Sequence, residues 1–150
     1  MNTVYLGIGS NLGDRRGNCR RAVEELNSRG LTVTRSSSQY ETEPWGVREQ
    51  PRFINMAVET RTELPPLEVL RVIKEIERDL GRRETRRWGP RVVDIDILLY
   101  GDTVVDEPGL AIPHPHMHER GFVLKPLSEI APDVLHPVLK KTVKELLSDV

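Results

Sequence analysis

Residues 87–101 read RWGPRVVDIDILLYG, and the run from Val92 to Tyr100 decides the fold. Val93, Ile95 and Ile97 alternate with Val92, Asp94, Asp96 and Leu98, which is the period of a strand. Asp94 and Asp96 then share a face, with Cα atoms ~6.5–7 Å apart. A buried strand gains no packing from two like charges on one face, because unpaired buried carboxylates are costly. The pair therefore points to a cation between them. Two divalent ions roughly 3.5–4 Å apart fit such a clamp, the arrangement used for in-line phosphoryl displacement. The same spacing also suits a strand edge whose acids face water or pair with arginines.

The preceding stretch favours the first reading. Arg82, Arg83, Arg86, Arg87 and Arg91 are set against a single acid, Glu84. Gly81, Gly89 and Pro90 make this segment a loop rather than a helix. Guanidinium forks beside a carboxylate pair suit a polyanion neutralised partly by metal and partly by arginine.

The bulk numbers narrow the class. At 150 residues and 37% hydrophobic content, the chain suits a single α+β domain spanning residues 1–150. With a net charge of −1 and a pI near 6.4, no global field draws it to nucleic acid or membrane, and the local basicity favours a small anionic ligand. Cys19 is the only cysteine, which excludes an internal disulfide and a cysteine zinc cluster. It falls on the apolar side of a helix and reads as core. The start, MNTVYLGIGSNL, has no basic region before its apolar residues and does not read as a signal peptide. No apolar run approaches the roughly 20 residues of a membrane span. A cytoplasmic monomer is expected.

Along the chain, Thr3–Ile8 reads as a strand running into the glycine-rich GIGSNLG of residues 7–13. A helix over 14–29 carries Cys19, Ala22, Val23 and Leu26 on its buried side, with Arg20–Glu24 and Arg21–Glu25 pairs on its wet side. A second strand covers 31–37. A third, 53–60, alternates Ile54, Met56 and Val58 with Phe53, Asn55 and Ala57. Leu64-Pro65-Pro66 opens a helix to about Leu80, buried through Val69, Val72, Ile73 and Ile76 and closed by Gly81. The fourth strand follows, then proline-broken segments, a short element over 120–130, and a final helix announced by the capping box of Thr142 and Glu145. The order β-α-β-β-α-β matches a ferredoxin-like antiparallel sheet with both helices on one face and a C-terminal extension. The other face is then free for ligand.

Other motifs are weaker. GIGSNLG departs from G-x-G-x-x-G by a late third glycine and reads better as a tight turn, with Ser10 or Asn11 satisfying backbone donors. In PHPHMH, residues 113–118, the prolines impose a three-residue turn that points the histidines apart, so a three-histidine metal site is disfavoured. His114 reads instead as a single phosphate donor, and His136 as incidental. Trp45 and Trp88 lie in the glycine- and proline-containing segments 43–51 and 81–91, which read as lids over a flat ligand.

GSN near the start, TEPWG, QPRFIN, WGPR followed by DIDIL, IPHP and RGFVL together resemble the 6-hydroxymethyl-7,8-dihydropterin pyrophosphokinases along essentially the whole chain. The resemblance implies pyrophosphoryl transfer from ATP to a reduced pterin alcohol, releasing AMP, in folate biosynthesis. It implies that Asp94 and Asp96 hold two Mg²⁺ ions and that Arg82 and Arg91 stabilise the transferred group. Phe53 and Phe122 would sandwich the pterin, Asn55 would read its edge, and Thr42, Glu43 and Trp45 would complete that reading. Lys74, Glu77, Arg87, Trp88, Ile97, His114 and Arg120 would lie along the nucleotide, Glu77 near the ribose. The chain departs from family habit at Lys74, Glu84, Gly109, Ala111 and His116. The competing readings are a non-catalytic RNA-binding ferredoxin-like module and another metal-dependent phosphoryl or nucleotidyl transferase.

Overall fold

The computed structural model describes residues 1–42, 52–81 and 92–150. The hydrophobic alternation builds an antiparallel sheet of β1 (Asn2–Ser10), β2 (Thr32–Ser36), β3 (Tyr40–Thr42), β4 (Phe53–Thr62) and β5 (Asp94–Tyr100). Its order is β2-β4-β1-β5, with the short β3 also paired to β4. Helices α1 (Arg15–Ser28) and α2 (Pro66–Asp79) supply the crossovers, which completes the expected ferredoxin-like frame.

Each helix begins and ends for a local reason. Asp14 caps α1, its Oδ1 accepting the Gly17 N–H at 3.1 Å. Pro66 opens α2, where a missing N–H costs nothing. Gly81, at φ +93°, stands just past its end in the left-handed conformation that glycine adopts without strain. The wet side of α1 is paired differently from the expectation. Arg21 donates to Asn18, while Glu25 takes Arg29, which also reaches Asp79 of α2 at 2.8 Å. The Arg29 guanidinium thus joins the two helices, a longer-range gain than an i, i+4 pair.

Both faces of the sheet are used. On one, Leu6, Ile8, Ile54, Met56, Val58, Ile95 and Ile97 pack against Cys19, Ala22, Leu26, Val69, Ile73 and Ile76. Cys19 is fully buried there, and burial pushes its thiol up to about 11, so it is core as expected. On the other face lies a second core, which corrects the expectation of a free sheet surface. Tyr5, Ala57, Leu98 and Leu99 are covered by Met117, Leu124, Leu127, Ile130, Val143 and Leu146. The last five come from α3 (Gly121–Ile130) and α4 (Val143–Ser148). A bulge in β5 makes this second core possible. Tyr5 faces Leu99 while Leu6 faces Ile97, so Leu98 is an extra residue and two consecutive leucines serve the same core.

The expected capping box of α4 is present, with Thr142 and Glu145 bonded reciprocally. A hairpin of β6 (Val105–Glu107) and β7 (Leu110–Ile112) leads into the histidine-rich segment. His136 is not incidental. It is 5% exposed, and its Nδ1 accepts the N–H groups of Val138 and Leu139 at 3.2 and 3.0 Å, closing the turn before α4. Among the described residues, no helix is long and apolar enough to cross a membrane.

The second core yields a stability expectation. Leu124→Ala, at a site with no exposure, should cost about 2–5 kcal/mol in urea unfolding, as large-to-small core changes do. A loss below 0.5 kcal/mol would mean that α3 does not hold the sheet.

Candidate active site

Strand β1 runs between the two strands that carry the candidate residues. Gly9 faces Asn55 on β4 and Asp94 on β5, and Gly7 faces Ala57 and Asp96. The alternation of glycine with Leu6 and Ile8 therefore has a different meaning from the expected turn. Both glycines lie inside β1 on the aspartate face, where they let neighbouring side chains lie close to the strand: Leu98 over Gly7, and Asn55 and Phe53 over the buried Gly9. This glycine-floored row, the trough of the site, sets the backbones of Asn55 and Asp94 two strand spacings apart, about 10 Å. A Cβ on Gly9 would sit 2.9 Å from Asn55 Oδ1 and 3.7 Å from Phe53 Cδ1, so a side chain there would displace the Asn55 amide. The signal was legible as a two-residue glycine period within an apolar strand.

Asp94 is half-buried and Asp96 exposed, on the face shared with Leu98. Ile97 lies on the opposite face, in the core beneath the helices. Strand β5 is the outer strand on its side of the sheet, and outward N–H groups of an edge strand need partners. Glu77 of α2 supplies one. Its Oε2 accepts the Ile95 N–H at 2.9 Å, between the two aspartates, while its Oε1 lies 3.7 Å from Lys74 Nζ. At 4% exposure this carboxylate is part of the frame that sets the position of Asp94 and Asp96, a connection that sequence spacing does not reveal.

Further along the same edge, the His114 N–H donates to Leu98 O at 3.0 Å. His114 Nδ1 accepts the His116 N–H at 3.1 Å, which leaves Nε2 as the protonated donor atom. Burial, then the charges of Arg120 and His116, lowers its pKa to about 4. A neutral imidazole in this tautomer keeps one N–H, on Nε2, able to donate. The histidines do not form a metal cluster, since no group of three metal-ligating side chains occurs among the described residues.

Across the trough, Phe53 and Asn55 are half-buried on β4, and Asn55 Nδ2 donates to Thr42 Oγ1 at 2.5 Å. Phe122 is in the first turn of α3, with the Arg120 guanidinium 5.7 Å from its ring centroid. The helix that covers half of this face thus carries the second aromatic to it. Tyr40 and Ser38 fasten that helix by donating to Glu129, the former at 2.5 Å. Glu43, Trp45, Arg82, Arg83, Arg86, Arg87, Trp88 and Arg91 lie outside the described residues, as do both segments read as lids.

The His114 environment has a measurable consequence. Because its folded pKa is depressed below 6.5, stability is retained above pH 6.5 and lost progressively as pH falls toward 4. Imidazole NMR should show His114 neutral at pH 6. A titration midpoint near 6.5 would contradict the assignment.

Comparison with known proteins agrees with this geometry. Residues 5–132 match the family described as 7,8-dihydro-6-hydroxymethylpterin-pyrophosphokinase. A 2-amino-4-hydroxy-6-hydroxymethyldihydropteridine pyrophosphokinase of Aquifex aeolicus is 45% identical over 145 residues, covering 97% of this chain and 90% of the relative. The enzyme of the same name from Bacillus subtilis is 48% identical over 134 residues, covering 89% and 80%. Among solved structures, the Plasmodium falciparum HPPK-DHPS wild type superposes with a TM-score of 0.77 at 17% identity, a likeness of fold. This chain is covered to 99% in that match and spans 44% of the larger chain. With a matched region that includes the trough, the glycine strand and the paired aspartates, the chain belongs to the 7,8-dihydro-6-hydroxymethylpterin pyrophosphokinase family.

Proposed function

We propose that the chain performs its family's reaction, pyrophosphoryl transfer from ATP to 6-hydroxymethyl-7,8-dihydropterin, with the trough as the meeting place of the two substrates. The observation that carries this reading is the single row Asn55–Gly9–Asp94, which sets an amide and a carboxylate on the strands flanking β1. The amide side suits the pterin. A flat heterocycle stacked on Phe53 and beneath Phe122 would gain about 0.5–1.5 kcal/mol beyond area burial, and Asn55, with Thr42, would pair with its polar edge. The carboxylate side suits the triphosphate.

The donor set fits Mg²⁺. Asp94 and Asp96 offer hard oxygens on one face, and no third His, Cys, Asp or Glu joins them in a cluster among the described residues. Mg²⁺ favours this arrangement, with one or two carboxylates completed by substrate phosphates and water. When bound, two such ions would neutralise phosphate charge and lower the pKa of the pterin hydroxyl. The chain's own groups then position and exclude. Glu77 holds the strand between the aspartates, and His114 Nε2–H and Arg120 would donate to phosphate oxygens. Arg82 and Arg91 are proposed to stabilise charge on the transferred group, with Lys74, Arg87 and Trp88 along the nucleotide and Glu43 and Trp45 beside the pterin; the Ile97 side chain is in the core, so that residue would meet the nucleotide through its backbone. The hydroxyl oxygen attacks the β-phosphorus, the bond from that phosphorus to the α-phosphate bridging oxygen breaks, and AMP leaves.

Two substitutions separate the halves of the site. Asp96→Asn should lower kcat on the order of 10²-fold or more, as loss of a transition-state electrostatic group does. Asn55→Ala should weaken pterin binding by about tenfold or more, from stranding a buried polar edge at 1–3 kcal/mol, and leave nucleotide binding unchanged. The assay is AMP formation with the reduced pterin and Mg²⁺. Full turnover by the aspartate variant, or AMP formed without pterin, would refute the assignment.

A further inference from the structure

The first turn of α1 is chemically odd. It contains Arg15 and Arg16 and no acid, although cations are unfavourable at a helix N-terminus. Their partners explain the placement. Arg15 Nη1 donates to Glu41 Oε2 at 3.0 Å and also to Arg52 O at 2.7 Å. Arg16 Nη1 donates to Gln39 Oε1 at 3.2 Å, and Gln39 Nε2 returns a bond to Arg16 O at 3.3 Å. Glu41 belongs to β3, and Arg52 immediately precedes β4. One guanidinium therefore spans the two strands at the end of their pairing.

That end matters because β3 has three residues and pairs with β4 only through Tyr40–Asn55, Glu41–Ile54 and Thr42–Phe53. A strand this short frays from its last pair. Its last residue, Thr42, is the one whose Oγ1 accepts from Asn55 Nδ2. Orientation of the Asn55 amide thus depends on Thr42 staying in register, and Thr42 depends on the neighbouring Glu41 being tied to β4.

We propose that Arg15 is a positioning residue for substrate selection: it straps β3 to β4 and thereby presets the Thr42–Asn55 pair that reads the pterin edge. The inference rests on the assignment of Asn55 and Thr42 to the pterin. Arg15 acts through these residues. Both bonds leave from one nitrogen, Nη1, so lysine, with three donors on a single ammonium of shorter reach, is the conservative replacement that keeps part of the strap.

The test is calorimetry of the pterin alcohol in the presence of Mg²⁺ and α,β-methylene ATP, whose α–β link cannot be cleaved. Arg15→Ala should weaken pterin binding about fivefold, the scale of one exposed charge-assisted tie. Arg15→Lys should fall between, with affinity for the nucleotide analogue and the thermal midpoint both unchanged. Glu41→Gln, which removes the charge and keeps the shape, should reproduce part of the loss and serves if Arg15→Ala folds poorly. Wild-type pterin affinity in Arg15→Ala, alongside reduced affinity in Asn55→Ala, would overturn the strap alone. Equal loss of pterin and nucleotide affinity in Arg15→Ala would also overturn it, since that is the mark of general loosening. Unchanged affinity in Asn55→Ala would instead remove the assignment on which it rests.

Discussion

Two carboxylates on one face of a strand, ~7 Å apart, repel each other by about 0.6–2.4 kcal/mol between the dielectric of water and that of a protein surface. The rest of this molecule is arranged around keeping that repulsion in place at a useful position. Strand β5 holds Asp94 and Asp96 rigidly because its neighbours on both edges are fixed. Strand β1 pairs with one edge, and the Glu77 carboxylate takes the Ile95 N–H on the other. A strap from a buried acid is costly to build, and it is tolerated because the outward N–H of an edge strand also needs a partner. In the proposed function this fixed pair of carboxylates is the preorganised cation site that receives the nucleotide with its divalent ions.

The same economy shapes the other half of the trough. Gly7 and Gly9 remove side chains from the central strand, which weakens a strand in general but here lets Leu98, Asn55 and Phe53 lie close against it. The lost packing is replaced one step further along the face, where the bulge at Leu98 turns two leucines into the second core. Helix α3 closes that core and carries Phe122 and Arg120 at its start. A single helix thus stabilises the sheet and carries two of the residues proposed for the site.

Much of this was legible in the chain itself. The alternation around Val93, Ile95 and Ile97 identified β5, and the stripe of Val69, Val72, Ile73 and Ile76 identified α2, because each pattern is complete within a few turns or pleats. The Phe53, Asn55 and Ala57 side of β4 was likewise legible. What was not legible depends on distant pairing. The three-residue β3 is a strand only because β4 accepts it, and the role of Gly7 and Gly9 emerges only when Asn55 and Asp94 lie opposite. Helix α3 contains Pro126 in its interior, so local propensity argued against a helix that packing onto the sheet then enforces. Glu77, which the resemblance places near the ribose, and His136, which reads as incidental, show their structural roles only when the backbone groups they satisfy are known.

The central claim is that Asp94 and Asp96 jointly hold divalent ions against the nucleotide. Manganese can replace Mg²⁺ as a paramagnetic reporter in the complex with α,β-methylene ATP and the pterin alcohol. Electron paramagnetic resonance of that complex should count two ions per wild-type chain, magnetically coupled at roughly 3.5–4 Å. The coupled signal should be lost in both Asp94→Asn and Asp96→Asn. A coupled pair that persists when either aspartate is replaced would contradict the account.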